Sequence, residues 1–460
     1  MMDAELLRDI DAFIGENREA IFRDIGRLVA VNSVEGEPES GAPFGRGPAE
    51  ALALALELAK GLGLETRNCE DMIGYAQVGT GERYIATVTH LDVVPAGEGW
   101  SGDPFQMRER DGYIIGRGVM DNKGPLTLCL YALKYLRERG GPLRYPVRAL
   151  MGINEETRMA DVAYYLKNYP APLFAFSPDA AFPLCNGEKG IYRGRVICRA
   201  AMENVVEISG GLAVNAVPDR AEATVRAGEL SSAGSVSAEP LGDGLWRLCA
   251  KGVGGHASKP ENTVNAIGLL VDYMLDKSVV TGAEADYYRL LSLLHEKTDG
   301  STMGLAADDG RFEPLTLIGG TVGVKDGRVY QSVDCRYPTC LDGETIRGTL
   351  AGYAGDLAEV VTDMDAPPFY KAPDSPEVEA CLQVYTEVTG EEARPFTMGG
   401  GTYAREFPNA ISFGPEHNDR PLPAFAGDIH AADEAAGKEQ LMEALKIYIL
   451  ALLRIETLEL

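Results

Sequence analysis

The alternation of helical and strand-like runs constrains this 460-residue chain more than any other feature. "AELLRDIDAFIGENREAIFRDIGRLVAV" carries apolar residues at helical spacing. "GPAEALALALELAKGLGL" begins with Pro48 and closes at Gly61 and Gly63, a helix with a signal at each end. Then "RYIATVTHLD", "GPLTLCLYALKYLRERGG", "PVRALMGINEE", "DVAYYLKNYP" and "LFAFSPDA" read strand, helix, strand, helix, strand. That order predicts an α/β domain with a largely parallel sheet covered by helices on both faces.

From about Gly187 the pattern changes. "GIYRGRVICRA", "AEATVRAG" and "GLWRLCAKG" are short strands joined by Gly-containing turns, which predicts antiparallel sheet, and helical runs return at "NTVNAIGLLVDYMLD" and "ADYYRLLSLLHEK". Two proline clusters after Ala366 precede the helical "PEVEACLQVYTEV". The tail resumes the first style through "ISFGPE" and "GKEQLMEALKIYILALLRIE". The expected organisation is one discontinuous domain, residues 1–187 and 374–460, interrupted by an α+β lid at 188–373.

Charge narrows the partners. With 43 basic and 69 acidic residues the net charge is −26, which repels phosphate backbones and anionic membrane surfaces, so no nucleic-acid or membrane partner is expected. The start "MMDAELLRDIDAF" lacks the basic and apolar regions of a signal peptide. "ALALAL" and "IYILALL" are far shorter than the ~20 residues of a membrane span and read as buried helices. Eight scattered cysteines without a Cys-x-x-Cys pair fit reduced thiols, and a cytoplasmic location is expected.

Candidate chemistry gathers where strands should end. In "YIATVTHLDVVP" the strand Ile85–Thr89 runs into His90 and Asp92, two residues apart and therefore on one side of an extended chain, at the sheet edge where open α/β folds place ligands. Alone, the pair reads first as a hydrogen-bonded strand-end histidine and a turn aspartate. Asp121 precedes a helix in "RGVMDNKG", Glu155 and Glu156 follow a strand in "LMGINEET", Asp179 follows another in "FAFSPDA", and His430 precedes the last helix in "GDIHAADE". Asp121 and Asp179 also suit caps or turns, and Glu155 with Glu156 a solvated pair. Taken together, five such sites, two of histidine (His90, His430) and three of carboxylate (Asp121, Glu155 or Glu156, Asp179), suit two divalent ions sharing one bridging carboxylate.

These stretches, with "GGHASKPENTVNAI" and "MGGGTYAR", resemble over nearly the whole chain the dinuclear metallopeptidases that include aminoacylases, succinyl-diaminopimelate desuccinylase, carnosinase and the bacterial PepV-type dipeptidases. The resemblance implies that His90, Asp121 and Asp179 hold one ion and that Asp121, Glu156 and His430 hold the other. It makes Glu155 the general base acting on a metal-bridging water, and Asp92 the acceptor of the His90 Nδ1–H. It further implies a cis peptide between Asp121 and Asn122. His256 of "GGHAS" would donate to the developing oxyanion beside Asn215. Arg336 and the loop glycines Gly399, Gly400 and Gly401 would hold the substrate's carboxylate. Without the resemblance, His256 reads as the end of a Gly-rich turn and Arg336 as a structural ion pair. His295 and His417 match nothing catalytic and read as a helix-face and a loop histidine.

The implied activity is hydrolysis of dipeptides with a free C-terminal carboxylate, with N-acyl-amino-acid deacylation as the alternative and a catalytically silent binding protein as a third reading. Mixed oxygen and nitrogen ligands suit Zn²⁺, or Mn²⁺ or Co²⁺. The long insert matches the PepV type and implies a monomer.

Overall fold

A computed structural model describes residues 4–460, so the first three residues of the start lie outside the described residues. The helix Ala4–Val29 buries one apolar stripe, including Ile10, Phe13, Ile14, Ile21, Phe22, Ile25 and Leu28, as its period requires. At its centre the sheet of this part of the chain has Ile85–His90, buried at every position, between Val147–Gly152 and Phe174–Ser177, both parallel to it. Ala410–Ser412 adds a fourth parallel strand beside Phe174–Ser177. The helices Lys123–Arg139 and Ala160–Asn168 make the crossovers between the central strands, which is why all three point their C-terminal ends to one edge. The final helix Lys438–Ile455 is buried over most of its length, from Leu441 and Met442 to Leu452 and Ile455, so its apolar run belongs to the core. Among the described residues no helix is long and apolar enough to cross a membrane.

The parallel sheet has an antiparallel margin that the alternation does not predict. Glu65–Cys69 pairs with Ile73–Val78, which in turn pairs antiparallel with Val147–Gly152. The hairpin turns at Glu70 and Asp71, both at positive φ, without the glycine that usually marks such a turn, and its outer strand is polar and exposed. Neither local signal was there to find.

The chain forms two compact units. One comprises the chain up to Asn186 with Lys371–Phe396 and Gly401–Leu460; the other comprises Gly187–Tyr370 with Thr397–Gly400. Thr397–Gly400, beyond the expected boundary at 374, therefore packs with the second unit, and takes Gly399 and Gly400 with it. The second unit is built on an antiparallel sheet in which Gly190–Cys198 pairs with Arg328–Tyr337 and Ala358–Ala366, and alternation along Gly190–Cys198 turns Tyr192, Val196 and Cys198 inward. The helices Ala266–Asp276 and Gly282–Glu296 supply Leu270, Tyr287 and Leu291 to the same core. None of the eight cysteines is in a disulfide, and only Cys340 is exposed outright.

His295 lies on a helix as expected, whereas His417 differs from its expected setting. His417 ends the short strand Pro415–His417, paired parallel with Ala180–Phe182, and its ring packs against Phe182 instead of lying in a loop. His295 turns inward from its helix and donates from Nε2 to Gln331 Oε1 at 3.2 Å, the Gln331 amide being oriented by its own bonds to Thr321 and Ser332 carbonyls. Burial lowers its pKa from 6.5 to about 4. The unfolded imidazole takes up its proton near pH 6.5 and the folded one does not, so stability is intact above that pH and is lost as pH falls toward 4. We expect His295→Gln to remove about 2 kcal/mol of this acid sensitivity, seen as a flatter dependence of unfolding free energy between pH 6.5 and 4.

Candidate active site

Strand register assembles the first half of the site. His90 closes its strand directly opposite Gly152, so Glu155 and Glu156, in the loop after Gly152, emerge at the edge where His90 sits. Gly152 is required there, because a Cβ would run into the Tyr403 hydroxyl and the Asp161 carboxylate. Asp161 in turn accepts from Ile153 N (2.6 Å), Asn154 N (3.0 Å) and the Tyr403 hydroxyl, and so fixes the loop that carries both glutamates. Asp179 follows the next parallel strand, Phe174–Ser177. Asp121 precedes the helix Lys123–Arg139, and the Asp121–Asn122 peptide is cis, as expected.

The Asp121 carboxylate lies between the two histidines. Its Oδ1 is 2.9 Å from His90 Nε2 and its Oδ2 is 2.8 Å from His430 Nε2. Asp179 Oδ2 is 3.7 Å from His90 Nε2, and Glu156 Oε2 is 3.2 Å from His430 Nε2. A Glu155 carboxylate oxygen, a His90 ring nitrogen and an Asp179 carboxylate oxygen lie within 4.8 Å of one another; the same holds for His90, Asp121 and Glu156, so the two sets interpenetrate. The short distances from the histidines divide them more cleanly, with Asp179 on the His90 side and Glu156 on the His430 side.

Asp92 acts differently from the expectation. The atom nearest His90 Nδ1 is the main-chain carbonyl of Asp92, at 3.0 Å, with the carboxylate Oδ1 farther off at 3.5 Å. The chain turns immediately after the strand and brings the carbonyl in first. Asp92 Oδ2 instead accepts the Glu156 N–H at 3.0 Å. Both groups facing Nδ1 are acceptors, so this nitrogen carries the proton and Nε2 presents its lone pair to the carboxylates.

That electrostatic arrangement calls for cations. Asp121, Glu155, Glu156 and Asp179 have no lysine or arginine ion pair among the described residues, and the buried Glu156 Oε1 and His90 Nε2 make no hydrogen bond. Nitrogen and carboxylate oxygen held 2.8–3.2 Å apart need a positive charge between them, either a proton on the imidazole or a metal ion, and buried carboxylates without basic partners characteristically coordinate metal. The titration behaviour agrees. Burial pulls His430 down, but Asp121 and Glu156 outweigh it and raise it to about 11. Burial and then Asp121 push Glu156 up to about 7. Burial is also the main reason that Glu155 lies well above the usual carboxylate range, with Asp179, Glu156 and Asp121 adding to it against the pull of His90. The donor set therefore fits divalent ions.

Other expected residues lie in the second unit. Ala216–Val217 pairs with Gly255–His256, so Asn215 adjoins His256. Ser258 places its hydroxyl 2.7 Å from His256 Nδ1 and donates its N–H to the same nitrogen at 3.2 Å. Gly399 packs against Ser258, and its carbonyl accepts from Arg336 Nη1 at 2.8 Å. Arg336 is nearly buried and is gripped by Asp334 through Nε (2.6 Å) and Nη2 (3.2 Å). Gly401 belongs to the first unit, in the loop leading to Tyr403.

Residues 86–454 match the Peptidase family M20/M25/M40. The chain belongs to this family. It is 31% identical to YtjP of Bacillus subtilis (strain 168) over 459 residues, covering 95% of this chain and 97% of that one. It is 30% identical to the Beta-Ala-Xaa dipeptidase of Lactobacillus delbrueckii subsp. lactis over 452 residues, covering 94% and 95%. Human carnosine dipeptidase 1 shares the fold, with a TM-score of 0.61 and 14% identity over 98% of this chain and 100% of that one. As an M20 metallopeptidase, the protein is a metal-dependent hydrolase with dipeptidases among its relatives, and the His–carboxylate cluster is the candidate for its metal site.

Sequence reasoning left out several residues of this site. Arg117 and Glu434 stand inside the motifs "RGVMDNKG" and "HAADE", and being charged residues beside candidate ligands was the signal that could have found them. Tyr403 and Asp161 carried no such signal.

Proposed function

We propose that the protein is a dipeptidase acting on peptides with a free ammonium and a free C-terminal carboxylate. It uses two divalent ions, Zn²⁺ in the first place with Mn²⁺ or Co²⁺ as substitutes. His90, Asp121 and Asp179 would hold one ion; Asp121, Glu156 and His430 would hold the other. The observation that carries this reading is the Asp121 carboxylate, whose two oxygens face two different histidines. The chemistry that divalent ions held there would supply is polarisation of the scissile carbonyl and acidification of a water toward neutral pH. Glu155 takes the proton of the attacking water and returns it to the leaving amine, a task that suits a carboxylate whose affinity for protons is raised by burial. Because Ser258 N–H donates to His256 Nδ1, the neutral imidazole carries its proton on Nε2, ready to donate to the oxyanion. Arg336 spends three of its five N–H groups on Asp334 and Gly399, and the two left on its terminal nitrogens are held in a fixed orientation for the substrate carboxylate.

Glu416 favours a dipeptide over an N-acyl amino acid. It pairs in register with Ala181 in the strand that follows Asp179, and its side chain makes no hydrogen bond or ion pair among the described residues. Burial and then Asp121 and Asp179 push it up to about 8. A substrate ammonium supplies the missing positive partner. Hydrolysis of Ala-Ala and N-acetyl-alanine, compared across the three metals, tests the reading, with Ala-Ala expected to be the better substrate. Glu416→Gln should raise KM for Ala-Ala at least tenfold, in line with about 1.5–3 kcal/mol for a hydrogen bond to a charged group, and leave N-acetyl-alanine unaffected. Preference for N-acetyl-alanine with every metal would make the protein a deacylase.

A further inference from the structure

Behind the candidate ligands lies a charged pair that the proposed chemistry does not use. Arg117 and Glu434 are both fully buried and are joined through Arg117 Nη1 and Glu434 Oε2 at 2.7 Å. Glu434 also accepts three main-chain N–H groups from the loop leading to the cis peptide: Gly118 at 3.1 Å, Met120 at 3.0 Å and Asp121 at 3.2 Å. One carboxylate thus ties down the backbone from which the Asp121 side chain projects. Arg117 extends the connection to the other side of the site, because its Nη2 donates to the His430 carbonyl at 3.2 Å. The same nitrogen reaches the Ala96 carbonyl at 3.3 Å, and the guanidinium lies 5.2 Å from the ring centroid of Trp100. His430 itself sits at φ +62, a left-handed conformation uncommon for a residue other than glycine.

We infer that Arg117 and Glu434 form a buried clamp that positions Asp121 and His430 for metal binding. Both are positioning residues; neither touches substrate. The inference rests on the proposed ligand roles of Asp121 and His430. Its geometry makes the two halves of the clamp unequal. Glu434 governs the shared ligand, Asp121, and so bears on both ions. Arg117 beyond its pairing with Glu434 governs His430, and so bears on one. A lysine at 117 is a point donor that can pair with Glu434 but cannot also reach the His430 carbonyl as a planar fork does.

The experiment measures Mn²⁺ and Zn²⁺ binding by equilibrium dialysis and calorimetry, together with thermal unfolding of the metal-free protein. Arg117→Lys should keep the metal-free melting temperature close to that of the parent protein and weaken one ion by about 10–100-fold, the usual cost of losing an outer partner of a ligand. Glu434→Gln should weaken both ions. Should Glu434→Gln fail to fold, because it leaves Arg117 buried without a counter-charge, Arg117→Lys alone decides. Unchanged affinity for both ions in Arg117→Lys overturns the clamp. So does a fall in metal-free melting temperature that accounts for the lost affinity, since that is what a purely structural pair would give. His430→Ala is the control for the underlying assignment. Retention of two ions at full affinity in that variant refutes the ligand roles and the clamp with them, whereas loss of an ion there with none in Arg117→Lys refutes the clamp alone.

Discussion

Replacing Glu155 by glutamine should lower kcat by about 10²–10⁴-fold, the range typical of removing a general base, while the folded protein still takes up two ions. The substitution keeps the shape of the side chain and removes its ability to accept a proton. Glu155 has no proposed ligand role, so its loss should separate chemistry from metal binding; Glu156→Gln, by contrast, should weaken the ion on the His430 side. Metal content by elemental analysis and steady-state kinetics on Ala-Ala check both statements. Near-parental turnover in Glu155→Gln would remove this residue from the mechanism, and loss of an ion would turn it into a ligand.

His256→Ala should lower kcat by about 10²–10³-fold with little change in KM and none in metal affinity. The donor on Nε2 meets charge that develops only in the transition state, and a ground-state carbonyl gains little from it. Ser258→Ala, which removes the hydroxyl at 2.7 Å but keeps the N–H that sets the tautomer, should cost much less. Mixing His256→Ala with Glu155→Gln should restore no activity if one chain supplies both residues. Recovery on mixing would mean that a second copy supplies the histidine and would end the monomer proposal. A large rise in KM would instead assign His256 to substrate binding.

How much of this was legible beforehand depended on how local each feature is. His90, Asp121, Glu155, Glu156 and Asp179 could be marked because each sits where a strand ends or a helix begins, and those boundaries are announced by β-branched runs, prolines and glycines within a few residues. The parallel order of the central strands followed from the alternation of helix and strand, since parallel neighbours need a crossover. His417 was placed less well, and the inward turn of His295 was not legible. An amphipathic helix pattern does not say that a polar ring on the boundary turns inward, and a three-residue strand such as Pro415–His417 is too short to show a period. The antiparallel margin was invisible for a related reason: Glu65–Cys69 is polar along its exposed length, and Glu70 and Asp71 turn at positive φ without a glycine.

The chain by itself determined which chemical groups are present and at which sheet edge they emerge, because short-range backbone preference and apolar periodicity decide both. Tertiary structure alone decided how those groups meet. It set the two oxygens of Asp121 against two histidines, turned the Asp92 carboxylate toward the Glu156 N–H and the Asp92 carbonyl toward His90, and drew Glu434 and Arg117 behind the candidate ligands. Orientations of this kind come from close packing between residues far apart in the chain, where a shift of an ångström changes which atom accepts a given proton, and no local preference encodes that.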